Sequence, residues 1–340
     1  MFMVMQLGQR LLMIVGVVLG VMTIMFVLSR VLPASPAQLM LGGRPSVEMV
    51  AKAEAELGLN KPLAVQYLNF MSGVVRGEFG NSLLTKRPVL LEVRERLGAT
   101  FELTTLAIVL VLLIGVPIGA LSAVRQNSMP DNVARTISLA GAAMPSFILA
   151  MSLQILFYGT LGWLPLQGRL DPSILLDHPI TPITGLFLID ALLTRNWVGF
   201  SSALSHIILP LLTLTTLLLA TITRITRNMM VDVLKEEYIR TAFAYGLPKS
   251  VIYYRYALKA TLIPILTIVG LTYGQLLGGA VVVEYIFDWP GLGSFLVSSI
   301  AQNDYPASLG ATLFLASIYL LVNLIVDLLY AVVDPRLRIS

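Results

Sequence analysis

Long apolar stretches separated by shorter polar segments dominate the pattern of this chain. A membrane-spanning helix needs roughly 20 mostly apolar residues, because each residue advances the helix by about 1.5 Å across a hydrocarbon layer about 30 Å thick. About six stretches meet this requirement, at residues 11–29, 103–124, 136–161, 206–223, 262–283 and 309–333. The pattern therefore predicts an all-α integral membrane protein with about six transmembrane helices.

Composition supports this prediction. The chain is 56% hydrophobic and 12% charged, whereas a soluble domain is about 25% charged. It contains no cysteine, which excludes disulfides, thiolate metal sites and cysteine nucleophiles. The two histidines, His178 and His206, are far apart in the sequence, so we expect no metal site. The net charge of +4 is modest and gives no support to nucleic-acid binding.

The positions of lysine and arginine predict the orientation. Segment 284–308 has neither residue, whereas the connection between the fourth and fifth stretches is basic. Positive residues near helix ends favour the cytoplasm, so the basic connection is predicted to be cytoplasmic, and six spans then place both termini there. The basic residues of this connection are Arg224, Arg227, Lys235, Arg240, Lys249, Arg255 and Lys259.

The spans divide the chain into four parts. Residues 1–31 form the N-terminus and first transmembrane helix, which is too long for the usual apolar region of a signal peptide. Residues 32–102 form an external insertion with short helices, one capped by Ser46 and ending at Gly58, the next beginning at Pro62. Residues 103–333 form the core with the remaining spans, and 334–340 a cytoplasmic C-terminus. Stretch 185–193 is too short to span the membrane.

The basic segment, residues 224–261, has the pattern of two helices joined by a turn. Gly246 separates two helix-forming runs and allows a sharp turn. Ala242 and Ala244 are small enough to let a partner surface approach, and Tyr238 and Lys249 add polar contacts. These features predict a helix–turn–helix that docks into another protein. An ordinary basic loop is the alternative, and the charges alone favour it.

Residues 238–258 resemble the loop shared by the membrane subunits of binding-protein-dependent ABC importers. The match is to the Tyr-x-Arg-Thr-Ala-x-Ala-x-Gly-Leu form of the dipeptide and oligopeptide branch. Tyr256 and Ala260 depart from it, where that branch usually has His and Asn. Other stretches that resemble this branch are 9–12, 57–63, 66–67, 77–82, 145–147, 161–169, 287–293, 304–306 and 322–336.

The resemblance implies a type I ABC importer permease fold and a coupling helix that fits into a cytoplasmic ATPase. The implied coupling residues are Tyr238, Arg240, Thr241, Ala242, Ala244, Gly246, Leu247 and Lys249. It also implies a prokaryotic inner-membrane subunit that forms half of a pathway for di- or oligopeptides. The implied partners are a second permease, two ATPase subunits and an extracytoplasmic solute-binding protein.

ATP and Mg²⁺ are expected on the partner ATPases, because this chain has no phosphate-binding Gly-x4-Gly-Lys-Ser/Thr loop. We therefore expect no catalytic residue and no cofactor in the chain itself. Relatives of this kind also import nickel chelates, glutathione and opines, so another solute is an alternative. A secondary transporter or channel is less well supported, because the predicted spans carry almost no ionisable residues.

Two further groups of residues allow two interpretations each. Trp289, Pro290, Gly291 and Gly293 form either an interfacial aromatic anchor or the contact with the solute-binding protein. Asn323 and Asp327 lie on one face of the last span and form either part of the pathway or a helix-packing pair, and packing is favoured. Glycines 270, 274, 278 and 279 thin one side of the fifth span, where a second permease is predicted to pack.

Overall fold

The computed structural model describes residues 2–31, 41, 45–56 and 58–333. Within these residues the secondary structure is helical, with one isolated bridge between Asn81 and Pro88. The helices are α1 Phe2–Val31, α2 Val47–Glu56, α3 Leu63–Val75, α4 Val89–Val124, α5 Met129–Ala143, α6 Ser146–Leu153, α7 Pro172–Asp177, α8 Phe187–Leu193, α9 Trp197–Val233, α10 Glu237–Ala244, α11 Leu258–Gly279, α12 Val281–Ile286, α13 Leu292–Ala301 and α14 Tyr305–Val333. Two π-helical segments, π1 Gln154–Thr160 and π2 Val251–Ala257, continue α6 and precede α11. The predicted all-α class is confirmed.

Three helices among the described residues are long and apolar enough to cross a membrane on their own. They are α4, α9 and residues Tyr305–Val326 of α14. The pair Val251–Leu262 and Pro264–Gly274 also qualifies if the two parts count as one span bent by 46°. Two shorter apolar helices lie within the remaining predicted stretches: Leu12–Leu28 fills most of 11–29, and Ser146–Thr160 covers the second part of 136–161.

The prediction of one continuous third span at 136–161 is wrong. α5 ends at Ala143 and α6 begins at Ser146. Between them Met144 and Pro145 are extended, with ψ of 123° and 140°. Proline disfavours the helical conformation of the residue before it and cannot donate a backbone hydrogen bond, so the apolar run is divided at this point.

The core forms where α9 lies along α4. Leu103 and Val111 of α4 pack with Ile207 and Leu214 of α9 in the main apolar cluster. Gly119 allows the closest approach, because an added Cβ there would lie 2.6 Å from the carbonyl oxygen of Thr223. Small residues at such contacts allow two helix backbones to pack tightly.

The N-terminal helices pack against the last helix. α3 begins after Pro62, as predicted, and Val74 lies in a cluster with Met22 of α1 and Leu309 of α14. The ring of Tyr67 is 5.2 Å from that of Phe26. α3 therefore packs against α1 and α14 through Tyr67 and Val74, whereas Leu63 at its start is exposed.

Candidate functional site

The basic segment folds as a helix, a tight turn and a second helix. Gly246 follows the end of α10 with φ of 71°, a conformation that favours glycine. Its amide donates to the carbonyl of Phe243 at 3.0 Å, and the amide of Leu247 donates to that of Ala242 at 3.2 Å. An added Cβ at Gly246 would meet nothing within 4 Å. The backbone conformation, rather than lack of space within the chain, therefore requires glycine here.

The inner face of α10 is anchored on three other elements. Ile239 and Ala242 are buried in one apolar cluster with Met230 of α9, Ala123 of α4 and Ile252 of π2. The prediction that Ala242 makes room for a partner protein is wrong, because its methyl group faces the core of the chain and it is only 7% exposed. A displacement of α10 would therefore disturb α4, α9 and π2 together.

The outer face of α10 and its turn carries the other predicted coupling residues. Those that are exposed are Tyr238, Arg240, Thr241, Ala244, Gly246, Leu247 and Lys249. Sequence analysis missed Tyr245, which is 82% exposed. Its spacing of seven residues from Tyr238, about two helical turns, was the available signal. All of these residues are exposed on α10 or on the turn that follows it, and their contact with an ATPase stays a prediction.

An ion pair between a buried carboxylate and a partly buried arginine joins α5 to α9 beside this segment. Arg227 contacts Asp131 through Nε–Oδ1 at 2.6 Å and Nη2–Oδ2 at 2.7 Å. Ser122 of α4 and the amide of Asn127 donate to the same carboxylate. The hydrogen bond from Arg227 holds the pKa of Asp131 well below its usual range, although burial opposes this. Sequence analysis missed the pair, although Asp131 is the one acidic residue between Arg125 and Arg135.

The predicted contact surface at residues 289–293 is mostly buried. Trp289 is 1% exposed, and its indole Nε1 donates to the carbonyl of Ala99 at 2.9 Å. Gly291 and Gly293 are buried as well. Both predicted roles, aromatic anchor and docking contact, are therefore wrong for Trp289, and the docking contact is wrong for the two glycines. Pro290 is exposed, and its contact with a solute-binding protein stays a prediction.

A buried carboxylate organises the backbone around these glycines. Glu284 accepts hydrogen bonds from Thr100 Oγ1 at 2.6 Å, Gly293 N at 2.7 Å and Ser294 N at 3.1 Å. An added Cβ at Gly291 or Gly293 would overlap this carboxylate. Burial raises the pKa of Glu284 to about 7, and the three hydrogen bonds only partly oppose the effect. Sequence analysis did not identify Glu284 as a structural residue.

A second buried network fastens residues 169–188 to α4. Arg169 donates to the carboxylate of Glu102 and, at 3.0 Å, to the carbonyl of Gly185. Its guanidinium carbon lies 3.7 Å from the centroid of the Phe187 ring. Glu102 also accepts from the amide of Leu188 at 2.8 Å. The short stretch 185–193 therefore forms a packed helix, α8, and not a span.

The contact between α11 and α14 explains Asn323. An added Cβ at Gly274 would lie 3.1 Å from Asn323 Oδ1, and one at Gly270 would overlap Val326. These two glycines therefore receive α14 of the same chain, and the prediction that they receive a second permease is wrong. Asn323 Oδ1 is buried without a hydrogen-bond partner among the described residues. Its place between two helices favours packing, and the side chain of Asp327 lies outside the described residues.

Two family models together match almost the whole chain. The model described as "Binding-protein-dependent transport system inner membrane component" matches residues 115–339. The N-terminal model of binding-protein-dependent transport system membrane components matches residues 3–104. The first of these covers α10, the turn at Gly246, Asp131 and Glu284.

Several curated relatives are similar over nearly their full length. The chain is 41% identical over 330 residues to the dipeptide transport system permease protein DppB of Alkalihalophilus pseudofirmus, covering 97% of this chain and 98% of the relative. It is 45% identical over 331 residues to the probable D,D-dipeptide transport system permease protein DdpB of Escherichia coli, covering 97% and 96%. It is 36% identical over 330 residues to the glutathione transport system permease protein GsiC of Pectobacterium atrosepticum, covering 97% of each.

Proposed function

Because the chain belongs to the family of binding-protein-dependent transport system inner membrane components, we propose that it is the permease subunit of an ATP-driven dipeptide importer. The observation that carries this proposal is full-length similarity to two permeases named for dipeptide transport, at 41% and 45% identity. The relative named for glutathione transport is less similar, at 36%. Dipeptides are therefore favoured over glutathione as the solute.

The proposed transporter contains four other subunits: one in the membrane, two in the cytoplasm and one at the outer face of the membrane. A second, similar permease completes the pathway of which this chain forms half. Two ATPase subunits bind ATP and Mg²⁺, and an extracytoplasmic solute-binding protein delivers the dipeptide. The chain itself catalyses no covalent reaction in this scheme, since its sequence has no phosphate-binding loop.

The proposed location is the cytoplasmic membrane of a prokaryote, with both termini and residues 224–261 in the cytoplasm. The basic residues of that segment support this orientation, as does the lack of lysine and arginine in segment 284–308, because positive charge is retained on the cytoplasmic side. The outer face of α10 is then accessible to the ATPase, and Pro290 to the solute-binding protein.

The coupling mechanism follows from the two faces of α10. Its outer face, with Tyr238, Tyr245 and Lys249 exposed, docks into the ATPase. Its inner face holds Ile239 in a cluster with side chains of α4, α9 and π2. Closure of the ATPases on ATP therefore pushes α10, and the packed cluster carries the displacement into two membrane-spanning helices. Hydrolysis resets the arrangement.

The contact with the solute-binding protein requires a revised set of residues. Trp289, Gly291 and Gly293 are buried, whereas Tyr285, Asp288 and Pro290 are exposed on the same short stretch of chain. We assign the contact to these three. The buried network of Glu284 holds their backbone in a fixed position, which lowers the entropic cost of binding.

Purification from the native membrane in mild detergent tests the proposal, with co-purifying proteins identified by mass spectrometry. We expect a second permease and an ATPase to co-purify. After reconstitution we expect ATP-dependent uptake of a labelled dipeptide, which excess unlabelled dipeptide inhibits and excess glutathione does not. A homo-oligomer reproducibly free of ATPase would favour a secondary transporter or channel. Stronger competition by glutathione would leave the importer intact and refute dipeptides as the solute.

A further inference from the structure

A cavity of about 470 Å³ lies between the adjoining ends of α4, α5 and α9. Three arginines line it, Arg135 from α5 and Arg224 and Arg227 from α9. Polar side chains that include Ser138 and Asn228 complete the lining. Guanidinium groups from two separate helices therefore face the same cavity. Basic residues spread evenly over the cytoplasmic membrane surface would not share one cavity in this way.

The charges in this cavity do not balance. Arg227 is neutralised by Asp131, which it holds through two hydrogen bonds of 2.6 and 2.7 Å. In the part of the chain that the structure describes, Arg135 and Arg224 form no ion pair with a carboxylate. Two guanidinium groups thus remain to bind an anion. Their planar arrangement of N–H donors suits the oxygens of a phosphate group.

An apolar stripe runs along α5 beside the cavity. Met129, Val133 and Ile137 follow at intervals of four residues and are 76%, 49% and 62% exposed. Val133 and Ile137 lie one position, about 100° around the helix, from Ala134 and Ser138, which line the cavity. The basic and the exposed apolar surfaces are therefore neighbours on one helix.

We propose that this cavity binds the phosphate group of an anionic phospholipid between Arg135 and Arg224, with the acyl chains along the apolar stripe. A headgroup joined to apolar chains matches both surfaces, and basic pockets between membrane helices bind such headgroups. A free phosphate ion would use the arginines alone and leave the stripe uncovered. Arg224 directly follows the apolar stretch 206–223 of α9, which places the cavity at the depth of lipid headgroups. The inference does not depend on the identity of the solute.

Thermal unfolding of the purified transporter in neutral detergent tests the proposal. Phosphatidylglycerol, phosphatidylcholine or inorganic phosphate is titrated, and the rise in Tm is recorded. We expect only phosphatidylglycerol, and neither phosphatidylcholine nor inorganic phosphate, to raise Tm. In the Arg135→Gln/Arg224→Gln variant the titration should shift to roughly thirtyfold higher lipid, since each basic residue strengthens binding to anionic lipid about fivefold. Arg125→Gln is the matched control, because Arg125 is exposed nearby and does not line the cavity.

Each other outcome would overturn the lipid assignment. Equal shifts with phosphatidylcholine would show that headgroup charge is irrelevant. An equal shift with inorganic phosphate would identify a free-anion site. A shift produced by dipeptide instead, and lost in the double variant, would place the cavity on the solute pathway. If the glutamine variant does not assemble, Arg135→Lys/Arg224→Lys keeps the charge without the planar donors. It should retain lipid binding with weaker affinity, and unchanged affinity would contradict a guanidinium–phosphate contact.

Discussion

Replacement of Gly246 by tryptophan tests whether the turn after α10 docks against an ATPase. The φ of Gly246 is 71°, and an L-residue in this region costs roughly 1–2 kcal/mol. An added Cβ would meet nothing within 4 Å in the chain. The variant therefore carries a modest backbone penalty and no internal clash, and any larger loss of function must come from a partner surface.

Gly162 provides the matched control for this substitution. Its φ is 62°, and an added Cβ there also meets nothing within 4 Å. Tryptophan at Gly162 thus carries a similar backbone penalty at a position outside the basic segment. Gly246→Asn and Gly162→Asn complete the set, because asparagine tolerates the left-handed conformation better than other residues and so reports the effect of bulk with less strain.

The assay is uptake of a labelled dipeptide by cells, normalised to the amount of assembled transporter in the membrane. We expect Gly246→Trp to lower uptake at least tenfold, equivalent to about 1.4 kcal/mol of lost docking energy, with membrane insertion unchanged. Gly246→Asn should lose less, and both Gly162 variants should transport normally. Equal uptake by Gly246→Trp and Gly162→Trp would refute the docking argument.

Three further predictions concern the stability of the purified transporter. Ile239→Ala should cost about 2–5 kcal/mol, because it leaves a cavity under α10, and should speed proteolysis of the basic segment; unchanged proteolysis would contradict the anchor. Burial raises the pKa of Glu284 to about 7 from 4.5, so the folded state binds its proton more tightly and stability should fall as pH rises through this interval. Glu284→Gln should flatten that part of the curve of Tm against pH, and an unaltered curve would disprove the effect. Asp131→Asn should lower Tm, because Arg227 loses its carboxylate; the same Tm as wild type would exclude a stabilising role for the pair.

The lengths of the apolar stretches predicted the positions of most of the helices. They did not predict whether a proline within such a stretch lies inside a continuous helix or separates two helices. Pro117 and Pro210 lie inside the continuous helices α4 and α9, whereas Pro145 separates α5 from α6. All three occur in apolar surroundings in the sequence. A proline in a membrane helix is tolerated where neighbouring groups satisfy the freed backbone carbonyl, and that depends on tertiary packing, which the local pattern does not contain.

The two candidate sites also differ in whether their geometry depends on local sequence or on tertiary packing. The turn at Gly246 was predictable because its geometry depends on a few adjacent residues, and glycine at a helix C-terminus is a local signal. The burial of Trp289 was not, because its hydrogen-bond partner Ala99 is 190 positions away in the sequence. An aromatic ring between turn-forming residues has the same local pattern whether it faces lipid, a partner protein or the core.

α9 connects the proposed coupling surface to the opposite end of the molecule. It is a continuous helix of 37 residues, about 55 Å long at 1.5 Å per residue. Met230 near its end packs under α10. Ala203 near its start packs with Leu170, next to Arg169, and with Ala191 of α8. Both ends are thus fixed in separate buried clusters, so a displacement at α10 must either move α9 as a unit or bend it. Pro210 removes one backbone hydrogen bond from this helix, which makes its surroundings the position where bending costs least.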